Sequence, residues 1–157
     1  PWSPMLLQRF GLKVPMVFKR GYHRHYHMQT PPNHPIADFG NSVVLSPMRR
    51  GLRIATAAEL TSHPRLLPPQ LKHGEKAARE LFDIGAPVEA EPWTGRRPCI
   101  PDMLPVIGPV PDQPNLWAHF GHGHQGFTLG PVTAEIIADE IDGAAGWAEL
   151  QPSRFKG

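Results

Sequence analysis

The chain has 157 residues, with 16 lysines and arginines against 14 aspartates and glutamates, and a formal net charge of +2. This length suits one domain. The basic residues are scattered rather than clustered, which argues against a nucleic-acid-binding protein. No apolar run approaches the length of a membrane span. The single cysteine, Cys99, excludes an internal disulfide and fits a reducing compartment. We therefore expect a cytoplasmic protein, with peripheral attachment to the inner face of a membrane as the alternative.

The order of the predicted elements indicates an α+β fold, and the twenty prolines and fifteen glycines favour strands and loops over long helices. Apolar periodicity and turn residues predict, in chain order, a short helix at 4–10 ended by Gly11, extended segments at 14–28 with a candidate turn at Arg20-Gly21, a proline-rich loop at 30–35, a hairpin of strands 42–48 and 52–60, a helix at 68–84, a strand at 88–98, a strand at 116–120 and a helix at 132–141.

Two features of the predicted helices concern their buried faces. In the first long helix, Leu71, Ala78, Leu81 and Phe82 can share one apolar face. In the last helix, the apolar residues of segment 136–141 are expected to form the buried face. The predicted architecture is a mainly antiparallel sheet with flanking helices, followed by a terminal strand–turn–helix.

The turn of this last unit is rich in glycine and suits an anion. Residues 121–129 read GHGHQGFTL and lie between the predicted strand and helix. Glycines let the main chain approach a ligand closely, and the free N–H groups at a helix start favour negative charge. About two dozen residues earlier, Arg97 precedes Pro98. Its guanidinium can grip a carboxylate with two hydrogen bonds.

These segments, taken together and in order, resemble the carboxyl-terminal half of FAD-dependent D-amino-acid dehydrogenases and oxidases, a superfamily that includes glycine and sarcosine oxidases. The resemblance runs from residue 1 to about residue 143. Its motifs are PWS at 1–3, VP at 14–15, KRGY at 19–22, WTGRRP at 93–98, PDMLPVIG at 101–108, NL at 115–116 and GHGHQGFTL at 121–129.

The resemblance implies an enzyme that oxidatively deaminates an amino acid, with a D-amino acid expected, by hydride transfer to FAD. The imine product is hydrolysed to a keto acid and ammonia, and the cofactor supplies the electronics. Arg97 matches the arginine that grips the substrate carboxylate. The expected cofactor-binding residues are Gly121, His122, Gly123, His124, Gln125, Gly126, Phe127, Thr128 and Leu129, with the amides of residues 126–129 against the pyrimidine end of the flavin.

The resemblance also implies that the chain is one portion of a longer flavoenzyme. We expect residues 1–98 to belong to the substrate domain, 99–143 to be the carboxyl-terminal piece of the FAD-binding domain, and 144–157 to be a tail. We expect the family's dinucleotide fingerprint, Gly-x-Gly-x-x-Gly after a first strand with an acidic residue some 20 positions on, to be absent from this chain. The expected partners are thus an amino-acid substrate and an amino-terminal FAD-binding portion, and unpaired strand edges favour self-association.

Three alternatives stay open. The family more often has an apolar or aromatic residue at the position of Arg96, so a shift of one residue would make Arg96 the ligand. The histidines at 23, 25 and 27 and at 119, 122 and 124 invite a metal hypothesis, but neither group has the spacing of a zinc site, and we expect no metal. Lastly, the chain could be a non-catalytic carboxylate-binding or interaction module that has lost the flavin domain.

Overall fold

The computed structural model describes residues 1–60 and 68–156. Residues 61–67 and the last residue, which belongs to the predicted tail, lie outside this range. The chain divides into two compact units, residues 20–96 and residues 1–19 together with 97–157. No helix of the described residues is both long enough and apolar enough to cross a membrane.

The elements are mainly antiparallel strands with three α-helices among the described residues. The helices are α1 Ser3–Gln8, α2 Pro69–Leu81 and α3 Gly126–Ile141, with a 3-10 helix at Pro152–Phe155. The strands are β1 Val17–Tyr26, β2 Ile36–Asp38, β3 Val43–Met48, β4 Gly51–Thr56, β5 Glu59–Leu60, β6 Trp93–Cys99, β7 Val106–Pro109 and β8 Trp117–Phe120. The mixed fold with antiparallel sheets confirms the predicted class, whereas the assignment of segments to a substrate and a flavin domain stays a prediction.

The unit of residues 20–96 is built on a sheet in the order β2-β3-β4-β1-β5, with β6 also paired to β1. The predicted β3–β4 hairpin is confirmed: Met48 pairs with Gly51 across the turn. Gly51 has a φ of +119°, and a Cβ there would lie against the backbone carbonyl of Tyr26. Burial alternates along β4, as expected for a strand with one covered face.

Helix α2 covers that face. Its buried residues include Leu71 and Ala78, and a Cβ at Gly74 would lie 2.6 Å from Cγ1 of Val43. The prediction that Leu81 shares the buried face is wrong, because its side chain is 55 % exposed. The helix ends at Leu81. Phe82 has extended backbone, and its side chain is partly buried and packs against the same core as Leu71 and Ala78.

Three strand predictions need correction. β1 is one continuous strand with no turn at Arg20-Gly21, since both residues are buried in the sheet, where β1 pairs with neighbouring strands. The predicted strand 52–60 breaks into β4 and the short β5. The predicted strand 88–98 becomes β6 only from Trp93 onward. Periodicity does not mark these breaks, because they depend on which neighbour strand is available for hydrogen bonding.

The second unit, residues 1–19 and 97–157, contains the antiparallel pair β7–β8, α1 and α3. Its core joins Leu7, Leu12 and Val14 to a group from the other end of the chain: Ile100, Val106, Val110 and Ala118. The predicted tail also contributes, since Phe155 packs against this core and the Leu150 carbonyl accepts a hydrogen bond from the Ile107 amide.

Helix α3 starts six residues before the predicted position 132. The expectation that segment 136–141 forms its buried face is wrong: Ile136 and Ile137 are half-buried and Ile141 is 54 % exposed. The buried residue of α3 is Thr133. Apolar spacing marks a face that can be covered, but within this unit the other elements cover a different part of the helix.

Candidate active site

The structure brings the end of β6 and the glycine-rich turn together. Cys99 forms an antiparallel bridge with His122. The amide of Gly123 donates a hydrogen bond of 2.9 Å to the carbonyl of Pro98. Arg97, the residue before Pro98, is therefore held next to the turn, although Gly121 lies 24 positions after Arg97 in the sequence.

The turn needs glycine at two of its positions. Gly121 and Gly123 have φ values of +86° and +61°, in the region that side chains disfavour. A Cβ at Gly121 would also lie 2.9 Å from Cγ1 of Ile100. Gly126 differs, because its φ is not positive and a Cβ would make an ordinary 3.5 Å contact with Cβ of His122. The chain itself therefore requires glycine at 121 and 123, but not at 126.

The start of α3 presents free amide groups. Gln125 is the N-cap residue and makes no side-chain capping bond. The amide of Leu129 donates to the Gln125 carbonyl at 2.8 Å. The amides of Gly126, Phe127 and Thr128 precede this bond and have no intrahelical acceptor. Residues 124–128 are exposed. Three of the four predicted amides are thus available to an anion; Leu129 is the exception.

A buried hydroxyl ties the turn to α3. Thr133 Oγ1 donates to the carbonyls of Leu129 or Gly130, at 2.8 and 3.1 Å. The Nε2 atoms of His119 and His122 lie 2.9 and 3.0 Å from the same oxygen. A hydroxyl has one proton to donate, so both imidazoles donate to it and carry a proton on Nε2.

The environment of His122 disfavours its charged form. Burial lowers the pKa of His122 below 6.5, and the nearby His119 lowers it further. His122 and Gly121 thus help to fix the turn within the protein, while His124 and Gln125 are exposed.

Sequence reasoning missed Thr133. The available signal was a threonine inside a helix four residues after a possible carbonyl acceptor, a pattern that also occurs without any ligand nearby.

The two arginines of β6 have different environments. Arg96 is exposed and Arg97 is half-buried, as alternation along a strand predicts. Among the described residues, Arg97 makes no side-chain hydrogen bond or ion pair. Its guanidinium can therefore bind an added carboxylate without first breaking an internal pair. Its role as the carboxylate ligand stays a prediction.

The expectation that the chain lacks the Gly-x-Gly-x-x-Gly spacing is wrong. Gly121, Gly123 and Gly126 do have the spacing Gly-x-Gly-x-x-Gly, between a strand and a helix. The context differs from a dinucleotide-binding unit, because β8 pairs antiparallel with β7 and α3 leads to a 3-10 helix rather than a parallel strand in the described residues. The spacing therefore supports an anion-binding turn and not a complete nucleotide-binding fold.

The histidine groups do not assemble a metal centre in the part of the chain that the structure describes, where no three His, Cys, Asp or Glu side chains converge. His23 and His25 lie on β1, with ring centroids 5.5 Å apart, and His27 follows the strand. His119 and His122 share Thr133 instead.

Comparison with curated proteins gives consistent relatives. The chain is 34 % identical over 146 residues to a D-amino acid dehydrogenase of Paramagnetospirillum magneticum, covering 90 % of this chain and 34 % of that protein. It is 31 % identical over 149 residues to an uncharacterized oxidoreductase of Halorhodospira halophila, covering 90 % of this chain and 67 % of that one. The chain thus spans about a third of the length of the dehydrogenase it matches.

Solved structures share the fold. Glycine oxidase from Geobacillus kaustophilus superposes with a TM-score of 0.74 at 22 % identity, over 99 % of this chain and 44 % of that chain. An L-amino acid deaminase from Proteus vulgaris gives 0.72 at 22 % identity, over 96 % and 39 %. The family model described as FAD dependent oxidoreductase matches residues 1–140. With the glycine-rich turn and the relatives in agreement, the chain belongs to the DAO family of FAD-dependent oxidoreductases.

Proposed function

We propose that this chain provides the substrate carboxylate site and the flavin-ring contact of an enzyme that oxidatively deaminates a D-amino acid with FAD. The observation that carries the proposal is the hydrogen bond from the Gly123 amide to the Pro98 carbonyl. It holds Arg97, a carboxylate ligand by chemistry, beside a helix start with free amides. The curated relatives support the reaction class, and they do not favour a non-catalytic module.

Arg97 acts by orientation. Its half-buried guanidinium has no competing partner among the described residues. Partial desolvation strengthens a bidentate bond to a carboxylate. Two parallel hydrogen bonds fix the direction of the substrate's Cα–H bond, and such positioning is a large part of the advantage of a bound substrate.

The free amides at the start of α3 fit a flavin ring. A bound flavin would supply the hydride acceptor, and its reduction would add negative charge to the ring. The amides of Gly126, Phe127 and Thr128 have no acceptor of their own and belong to the positive end of α3. They stabilise negative charge that develops in front of them. The exposed side chain of Thr128 adds a hydroxyl donor.

The preference for the D enantiomer is the finest part of the proposal. It rests on the names of the relatives, several of which are D-amino acid dehydrogenases. The L-amino acid deaminase shares the fold, so the fold itself allows either hand. Assay of a flavoprotein that contains this chain with paired D and L amino acids decides the point, and a preference for L would overturn it.

The role of Arg97 is tested in the same flavoprotein. Removing one partner of a desolvated charge pair costs about 2–5 kcal/mol. Arg97→Ala should therefore lower kcat/KM at least about 30-fold, since about 1.4 kcal/mol corresponds to tenfold. Arg96→Ala, which removes an exposed charge from the preceding residue, is the matched control and should change kcat/KM little. The reverse ranking would show that Arg96 is the ligand.

A further inference from the structure

The sheet of the first unit has a second face that α2 does not cover. Arg53 on β4 lies directly opposite His25 on β1 and Ser46 on β3. Directly paired residues of an antiparallel sheet point to the same side. The neighbours of Arg53 along β4, Leu52 and Ile54, are fully buried under α2 on the other side. His25, Arg53 and Ser46 thus form a polar row across three strands.

Arg53 is unpaired in this row. Its Nε atom is buried and has no hydrogen-bond partner among the described residues. The rest of its guanidinium likewise forms no hydrogen bond or ion pair within that part of the chain. A buried polar atom without a partner is costly, and more so when it belongs to a charged group. An arginine on the middle strand of such a face therefore requires an explanation.

The carboxylate that contacts His25 of this row already has other partners. Glu89 accepts hydrogen bonds from the backbone amide and Nδ1 of His25, at 2.9 and 2.8 Å, and pairs with Arg50 at 3.2 Å. Burial raises the pKa of Glu89, but the His25 bonds and the charge of Arg50 outweigh it, and the pKa lies below its usual value. The charge of Glu89 is thus used at the edge of the row and not by Arg53.

The pKa of His23 is affected by the positive charge of Arg53 on this face. Its ring stacks on Trp93 with centroids 4.6 Å apart. Burial lowers the pKa of His23, and the charge of Arg53 lowers it further. The surroundings of Arg53 therefore include neutral or donor groups: the His23 ring, the hydroxyl of buried Ser46 and the His25 ring. Such surroundings suit a bound anion and not an additional cation.

We propose that Arg53 is the centre of a carboxylate-binding site on the face of the sheet opposite α2. The guanidinium supplies the two-pronged donor that a carboxylate matches, and Ser46 supplies a hydroxyl. The carboxylate comes either from the side chain of an acidic amino-acid substrate or from a separate small organic acid. The first source rests on the proposed function, whereas binding to Arg53 does not.

Binding is tested on the chain itself with succinate as the probe. In ¹H–¹⁵N spectra of the arginine side chains, the Arg53 Nε–H signal should shift and saturate with succinate at constant ionic strength. Succinamide, the neutral analogue, should give no saturating shift. Arg53→Gln should weaken succinate binding at least about tenfold, equal to about 1.4 kcal/mol. Arg49→Gln, which changes an exposed arginine of the β3–β4 turn, is the matched control and should bind as the unchanged chain does.

Arg53→Lys distinguishes a loss of binding from a loss of fold. The lysine keeps the positive charge and lacks only the two parallel N–H donors of the guanidinium. Its affinity should fall between those of the unchanged chain and Arg53→Gln, with unchanged backbone spectra away from β4. Equal succinate affinity in all three proteins, or no saturable shift at Arg53, would overturn the site.

The two sources are separated in a flavoprotein that contains the chain. If the substrate side chain is the ligand, Arg53→Gln lowers kcat/KM for D-glutamate at least about tenfold more than for D-glutamine. If a separate acid is the ligand, Arg53→Gln changes kcat/KM for D-glutamate and D-glutamine equally, while the unchanged chain still binds succinate. A flavoprotein that oxidises no amino acid would refute the proposed function, and the succinate titration would still decide the site.

Discussion

At the scale of single residues, the glycine-rich turn separates glycines that the chain needs from one that it does not. Gly121 combines a φ of +86° with a close approach to Ile100, while Gly126 has ordinary space for a Cβ. If Gly126 is nevertheless important in the flavoprotein, the reason must be a ligand that approaches it. The effect of substituting Gly121 on the stability of the chain can thus be measured separately from the effect of substituting Gly126 on the cofactor content of the flavoprotein.

We expect Gly121→Ala to destabilise the chain by about 1–2 kcal/mol from the left-handed backbone alone. Gly126→Ala should change stability by no more than about 0.5 kcal/mol, as a substitution without a special constraint. Urea unfolding of both variants measures this difference. In a flavoprotein containing the chain, Gly126→Ala should reduce flavin content or lower its reduction potential. Unchanged flavin content and potential would remove the turn from the cofactor site.

Two histidines make stability depend on pH. The pKa values of His23 and His122 are lowered in the folded chain, chiefly by burial. Below about pH 6.5 the unfolded chain therefore binds more protons than the folded one. The two histidines therefore contribute fully to the stability of the folded chain above about pH 6.5. This contribution is lost as the pH falls from their pKa in the unfolded chain towards their lower pKa in the folded chain.

The free energy of unfolding should accordingly be smaller at about pH 5.5 than at about pH 7.5, as measured by urea titration. His122→Gln, which can still donate to Thr133, should reduce this difference without abolishing it, because His23 still titrates. An equal difference in the variant would show that His122 is not one of the responsible groups. The carboxylate of Glu89, with its lowered pKa, acts only at more acidic pH.

At the scale of elements, the contact of α2 with the sheet depends on a small residue. Gly74 faces Cγ1 of Val43 and Cγ2 of Ile54, where an added Cβ would lie at 2.6 and 3.1 Å. Both partners are β-branched and buried, so neither side chain can rotate away easily. The glycine is therefore retained despite its low helix propensity.

Gly74→Ala tests this contact. Overpacking typically costs about 1–3 kcal/mol, and the gain in helix propensity returns about 1 kcal/mol. We expect a net loss of about 1 kcal/mol in urea unfolding. Lys76→Ala, on the exposed side of α2, is the control and should stay within about 0.5 kcal/mol. A more stable Gly74→Ala variant would show that the helix can move away from the sheet.

At the scale of the whole chain, the residues proposed to contact the flavin ring are present, but the described residues contain no nucleotide-binding βαβ unit. The described residues around α3 offer a two-stranded antiparallel pair, not a parallel sheet. Three amides and a glycine-rich turn form a small contact compared with the adenosine and pyrophosphate of FAD.

The chain alone should therefore bind FAD weakly, with a Kd of about 1 mM or above, equal to about 4 kcal/mol or less of binding free energy. Calorimetric titration of the 157-residue chain measures this. Titration with riboflavin is the control. Because riboflavin has the flavin ring but lacks the pyrophosphate, the chain should bind riboflavin no more weakly than FAD. Tight stoichiometric FAD binding would reveal a nucleotide site that neither the turn nor the sheet explains.

The sequence by itself determined the elements with local signals. The β3–β4 hairpin follows from Arg49-Arg50-Gly51 between two apolar strands, and the glycine-rich turn follows from glycines at 121 and 123 before a helix. The order of the motifs was also sufficient to identify the family. For the hairpin and the turn, the information lies in the backbone preferences of a short stretch of chain; for the family, it lies in the order of motifs along the sequence.

The tertiary structure decided what depends on partners distant in sequence. It placed Pro98 against Gly123 and made Thr133, rather than the isoleucines of segment 136–141, the buried residue of α3. It also left the Nε atom of Arg53 without a partner among the described residues, on the face of the sheet opposite α2. Periodicity predicts that a face can be buried, but it does not predict which segment covers it. Burial and pairing are properties of two segments at once, and a single stretch of sequence specifies only one of them.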